Sequence, residues 1–321
     1  MEGASWGHVM KLHQLRYLCE IARQGLSFSG AAGALHTSQP GISKQIRLLE
    51  EELGVDLFIR NGNRIVEMTE PARRIVAIAN LVLRELDDIK AVAGEFREGN
   101  TGRLNVAATF TFARYRLPDA LRRFVARYPR VGVNLLQGSL AEVSRLTSSG
   151  EADIALTARP AEDFPELLFL EYCELPRVLV TPRGHPLLRE KKVTLNAISR
   201  HPLITLDIGS HGQLKMRELF ARSGLEPRIV FAGVDVDVVK AFVEAGLGIA
   251  VLPRLAFEPR RDSRLRALDV GHLFESHAGC LAIRKNHYLR GYAFDFIEML
   301  ASAMDRRSVE KALAAARAAT A

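Results

Sequence analysis

Cysteine is scarce: Cys19, Cys173 and Cys280 are the three in a chain of 321 residues. None stands in a CxxC pair, which argues against a zinc knuckle or a disulfide scaffold. Free thiols in a reducing compartment are the simplest reading, with a Cys173–Cys280 redox pair as the alternative. Long apolar runs are missing too; none reaches the about 18 residues that mark a membrane-spanning helix. The first 13 residues hold no apolar signal-peptide core, so a cytoplasmic protein is expected, with Met10 a candidate start. Enzyme fingerprints are also lacking. No HExxH or Walker A motif occurs, and Gly246-Leu247-Gly248 precedes a predicted strand where a dinucleotide fingerprint would follow one. The histidines lack metal-ligand spacing: His185 and His201 each stand before a proline, and His272 and His277 fall in one predicted loop. No catalytic residue, metal or cofactor is expected.

What is present is ordinary globular material. Hydrophobic residues make up 48% and charged residues 25%, enough for more than one core at roughly 100–200 residues per domain. The formal charge is +7, a balance that hints at nucleic acid. Its distribution does not: residues 1–100 hold 12 basic and 13 acidic side chains, the remainder 32 and 24. Local placement has to carry that argument.

Before the polar stretch 98–102 the chain reads as helices. In 12–24, Leu15, Leu18, Cys19 and Ala22 form one apolar face. Ser27 and Ser38 are N-cap residues for two further helices, the second with Pro40 in its first turn, Ile42, Ile46 and Leu49 on one face, and Gly54 as its stop. Two short helices around a tight turn have helix-turn-helix geometry. Ser38, Gln39, Ser43, Lys44 and Arg47 form the polar, basic side of the second, while Glu50-Glu51-Glu52 would face away from phosphates. Strands at 57–60 and 64–67 around Asn61-Gly62-Asn63 make a hairpin whose Arg60 and Arg64 could touch flanking DNA backbone. The other reading is a three-helix domain with a solvated polar face.

Residues 70–97 form one long helix. Ile75, Ala79, Val82, Leu86, Ile89, Ala93 and Phe96 recur at spacings of 4,3,4,3,4,3, a heptad seam. It reads as a dimerisation helix, the alternative being a helix packed on its own domain. After Gly102, strands and helices alternate through residue 252, which predicts parallel sheets with helices on both faces and two lobes parting near 160–170. Thr109 and Thr111 follow a strand and open a helix, where hydroxyls and N–H groups either cap the helix or hold an anion.

The stretch from Phe28 to Phe58 resembles the DNA-binding signature of LysR-type transcriptional regulators. The turn Thr37-Ser38-Gln39-Pro40, the helix Ser43-Lys44-Gln45-Ile46 and the ending Leu49-Glu50-x-x-Leu53-Gly54-x-x-Leu57-Phe58 occur in register. The resemblance extends through Thr69-Glu70-Pro71 to 246–253. It implies an N-terminal all-α winged helix-turn-helix (10–68) with a long linker helix (69–98). It also implies a C-terminal α/β, two-lobed effector domain similar to periplasmic binding proteins (99–321), with lobe I at about 103–165 and 270–305 and lobe II at about 166–269. The implied partners are double-stranded DNA, a small anionic effector, a second copy through the linker helix within a tetramer, and RNA polymerase, with no membrane. Gln39, Pro40, Ser43, Lys44 and Arg47 match the DNA-contact segment. A stand-alone small-molecule-binding protein of the same fold is the alternative.

Residues 108–118, Gln137-Gly138, 150–154, 229–231, 235–237 and 292–297 are similar to the CysB-like, cysteine-regulon branch. That resemblance implies a sulfate-type ligand cradled at Thr109 and Thr111. Phe112 stands where the branch has glutamine, Ala158 (beside Thr157) where it has threonine, and His211, before Gly212, where it has another threonine. Phe112 as an aromatic wall and His211 as a variable donor point to a larger organosulfur or aromatic acid.

Overall fold

The computed structural model describes residues 10–61, 64–98, 101–159, 164–206 and 211–319. The chain forms two compact units, Met1–Gly94 and Glu95–Ala321.

The first unit contains α1 (Leu12–Arg23), α2 (Phe28–Ala34), α3 (Gln39–Leu53), β1 (Phe58–Asn61), β2 (Arg64–Met68) and most of α4 (Glu70–Glu98). Both cap expectations hold: Ser27 Oγ accepts from Gly30 N and Ser38 Oγ from Gly41 N, at 2.9 and 3.2 Å. Gly54 closes α3 at φ 67°, a left-handed position that a glycine enters without a Cβ clash. Leu18, Ile21, Ile42, Ile46, Leu49, Leu57 and Ala72 form the core. The antiparallel pair β1–β2 runs from Phe58 opposite Met68 to Asn61 opposite Arg64; the Gly62-Asn63 turn lies outside the described residues.

Along α4 the heptad seam changes character. Ile75 packs on that core and Ala79 is buried, but Val82 is 37% and Ile89 65% exposed. Ala93 is exposed as well. Phe96's side chain lies outside the described residues.

The second unit holds two five-stranded sheets. Its elements are β3 (Gly102–Thr109), α5 (Phe110–Tyr115), α6 (Leu117–Arg127), β4 (Val131–Gly138), α7 (Leu140–Ser148), β5 (Ile154–Ala158), β6 (Leu167–Leu175), β7 (Arg177–Pro182), α8 (Leu195–Ser199), β8 (Leu203–Leu206), α9 (His211–Arg222), β9 (Ile229–Gly233), α10 (Val236–Glu244), β10 (Ile249–Pro253), β11 (Leu265–Asp269), β12 (His277–Arg284), α11 (Gly291–Leu300) and α12 (Arg306–Ala318). Lobe I orders its strands β4-β3-β5-β12-β6, and lobe II β11-β7-β10-β8-β9.

The sheets are mixed, not parallel as the alternation predicts. In lobe I, β12 runs against β5 and β6; in lobe II, β7 runs against β10 and β11. These are the two strands that enter a lobe directly from the other lobe, without a helical crossover to reverse the chain. The crossovers also move the lobe boundary. Strand β6 pairs with β12 in lobe I, so the chain crosses at Pro176 rather than at about 166. At the other end, α12 packs Val309 and Leu313 into the lobe I core, beyond the expected limit of 305.

Candidate functional site

Two regions hold the residues singled out in the sequence. The first is the outer face of α3. Ile42, Ile46 and Leu49 are buried, so helical periodicity turns the intervening residues outward. Ser38, Gln39, Pro40, Lys44 and Arg47 are exposed and Ser43 is half-buried. Lys44 and Arg47 have no ion-pair partner among the described residues, which leaves two cations beside a short row of hydrogen-bonding side chains. The hairpin contributes differently from expectation. Arg60 lies 3.5 Å from Glu50 Oε2, and Glu50 Oε1 accepts from Leu57 N at 2.9 Å. Glu50 therefore ties the hairpin to α3 and offsets part of Arg60's charge. Arg64's side chain lies outside the described residues.

The second region is the end of lobe I where β3 and β5 stop. Thr109 and Thr157 each follow a matched pair, Ala108 opposite Leu156, on these parallel neighbours. Thr109 is the N-cap of α5 with extended backbone, yet its hydroxyl makes no capping bond. Thr111 sits in the first turn and is half-buried. Thr157 is fully buried, and its hydroxyl donates to the Ala158 carbonyl at 3.0 Å, so that proton is used internally.

Phe112 is a correction. The sequence suggests an aromatic wall facing a ligand; its ring is 2% exposed, 6.1 Å from Tyr172. It packs over Gly279, where an added Cβ would meet Phe112 Cζ at 3.0 Å and Cys173 Sγ at 2.5 Å. A six-residue helix on a sheet turns one side inward, and Phe112 is on that side. His211 and Gly212 open α9, but their side chains lie outside the described residues.

The cysteines are free, as expected. Cys173 pairs with Gly279, and Cys280 with Glu171. Successive strand residues point to opposite faces, so Cys173 and Cys280 lie on opposite sides of the lobe I sheet and cannot form a disulfide. Burial raises the Cys280 thiol to about 11. His277, expected in a loop, is instead the first residue of β12.

Sequence reasoning misses a charged network between the lobes. From α5, Tyr115 Oη donates to Asp237 at 2.7 Å, and Arg114 Nε lies 2.7 Å from the same carboxylate. From α10, Lys240 Nζ donates to Tyr115 Oη at 2.7 Å and reaches Asp262 at 2.9 Å, Asp237 at 3.0 Å and the Ala256 carbonyl at 2.9 Å. Tyr115 also packs against the lobe II core. Burial pushes Lys240 down, but its bonds to Tyr115, Asp262 and Asp237 outweigh that and hold it above its ordinary value. Asp237 is likewise held low, by Tyr115, Lys240 and Arg114 against its burial. One signal was readable: a lone lysine among Val236, Val239 and Val243 on an apolar helix face demands a buried partner. The partner's identity was not readable.

Among the described residues, no group of three or more histidine, cysteine or carboxylate side chains could hold a metal ion. No described helix is long and apolar enough to cross a membrane.

Both regions fall within segments that match known protein families. Residues 12–73 match the model of the bacterial regulatory helix-turn-helix protein, lysR family, and residues 97–305 match the LysR substrate binding domain. The chain is similar to the HTH-type transcriptional regulator CysB of Burkholderia cenocepacia, at 41% identity over 95% of this chain and 97% of that one. It is also similar to the HTH-type transcriptional regulator SsuR of the same species, at 37% identity over 94% and 97%. Among solved structures, the cofactor-binding domain of the Cbl transcriptional regulator aligns with TM-score 0.62 and 32% identity, over 66% of this chain and 93% of that one. The chain belongs to the LysR family of DNA-binding transcriptional regulators and is not an enzyme.

Proposed function

We propose that this regulator is a cytoplasmic homotetramer that controls sulfur-related genes in response to a small organic anion. The observation that carries the DNA half is the outward row Gln39, Ser43, Lys44 and Arg47 with its two unpaired cations. Glutamine can bond adenine edges, and lysine or arginine can reach guanine or phosphate. The uncovered apolar stripe of α4 supplies a dimer interface. A tetramer requires a second one from the effector unit, and RNA polymerase would be met on DNA.

The effector half rests on Thr109 and Thr111 at the mouth of lobe I. Thr109's hydroxyl is unused by its helix and can serve a ligand. The first turn of α5 is thus at the ligand, and its last residues grip Asp237 of lobe II. A ligand that favours one setting of α5 biases the arrangement of the two lobes, and that differential affinity is what couples effector to DNA.

The two halves separate by substitution. Lys44→Ala is expected to weaken binding to a duplex selected from random sequence about tenfold and to leave ligand-induced thermal shifts intact. Thr109→Ala is expected to do the reverse, measured with sulfate, thiosulfate, acetylserines, sulfonates and aromatic acids. Equal losses of both functions in either variant would refute the division of labour. Stabilisation by inorganic sulfate alone would refute the organic ligand.

A further inference from the structure

The two crossovers between the lobes bring one cation to the place where the strand ends of both lobes meet. Arg177 is the first residue of β7 and stands opposite Pro253, the last residue of β10. His277 is the first residue of β12, two before Gly279, which stands opposite Ala158, the last residue of β5. The Arg177 guanidinium lies 3.1 Å from His277 Nδ1. Arg177 has no carboxylate partner among the described residues. Contrast Lys240, which is buried and holds Asp262 at 2.9 Å; Arg177 is half-buried. Desolvation with no compensating charge drags the Arg177 guanidinium down to about 10. A cation taken out of water without a counter-ion is destabilising, and proteins pair such groups or keep them for a ligand's charge.

We infer that Arg177, set by His277, receives the carboxylate or sulfonate of an organic anion bound between the lobes. A guanidinium presents two parallel N–H donors that match either group. This rests on the reading of the interlobe region as the effector site. It adds a recognition point on the lobe II side, across from Thr109 and Thr111. The organic part of such a ligand would then lie between Arg177 and the threonines, which is where a compact inorganic ion falls short.

The test is calorimetry and thermal melting of the full chain with 1-butanesulfonate, benzoate and inorganic sulfate, beside neutral 1-butanesulfonamide and benzamide. Wild type is expected to bind at least one organic anion and neither neutral analogue. Arg177→Met should lose at least tenfold in affinity for that anion, and Arg177→Lys should retain part of it. Without ligand, Arg177→Met should melt about 2–4 °C higher, because a desolvated cation is removed. Unchanged anion affinity in Arg177→Met would overturn the inference, as would a lower ligand-free melting temperature or no binding of either organic anion at millimolar concentration. Arg177-dependent binding of sulfate alone would overturn the organic class. If Thr109→Ala loses the anion and Arg177→Met does not, Arg177 falls and the effector site stands. If both variants keep it, both fall.

Discussion

Replacing Lys240 with methionine is expected to lower the melting temperature of the effector unit by roughly 10 °C. Lys240 is 7% exposed and Asp262 10%, so neither charge has water to fall back on. Removing one member of a buried pair typically costs about 3–5 kcal/mol, because the other is left uncompensated. At about 2–4 °C per kcal/mol for a unit of this size, the loss is large and easily measured. Here Asp237, Asp262 and Tyr115 Oη all lose a donor at once. Arg114→Ala is the control: that side chain is 52% exposed, and an exposed partner contributes about 1 kcal/mol or less. The same substitution should loosen the tie between α5 and lobe II, so ligand-induced change in DNA affinity should shrink in Lys240→Met even at temperatures where the protein is folded. A fall of only a degree or two would mean that the network is solvated and the lobes are not joined through it.

Ile89→Glu on α4 is expected to abolish self-association through that helix and to weaken specific DNA binding by about 10²–10⁴-fold. Ile89 is 65% exposed and Val82 37%, and both lie on the heptad seam that the first unit does not cover. A charge at a seam position faces the partner helix without a counter-ion. The DNA loss follows from effective concentration: once the first helix-turn-helix is bound, a linked second one binds as an intramolecular event, and unlinking it removes that gain. Sedimentation and DNA titration on the same sample check both statements. A variant that still self-associates and binds DNA normally would show that another surface holds the assembly together.

How much of this was legible in the sequence depends on distance along the chain. The caps Ser27, Ser38 and Gly54 are local devices, and α2 and α3 begin and end where those residues predict. The seam of α4 was legible because a heptad is a pattern within one helix. The strand order was not. A sequence shows that strands and helices alternate, but the direction of β7 and β12 depends on which lobe each enters, and that is decided by the crossovers. The Tyr115–Asp237 bond spans 122 residues, and no spacing rule reaches that far. Phe112 was misread for a related reason. On a six-residue helix, one turn and a half, periodicity is too short to say which side faces the core. The separation of Cys173 from Cys280 rests on a register that only the paired strands reveal.

The central claim is that α3 reads DNA through Lys44 and its neighbours, and the measurement that tests it most directly is the salt dependence of binding. Affinity for a selected duplex should be titrated by fluorescence anisotropy from 50 to 200 mM salt, for wild type and Lys44→Ala. Each phosphate neutralised releases counter-ions and steepens the slope of log affinity against log salt by about one. Wild type is predicted to show a steep slope, and Lys44→Ala a slope shallower by about one, with weaker binding at every salt concentration. Identical slopes and affinities for the two proteins would contradict the account, because Lys44 would then not be at the phosphates or bases at all.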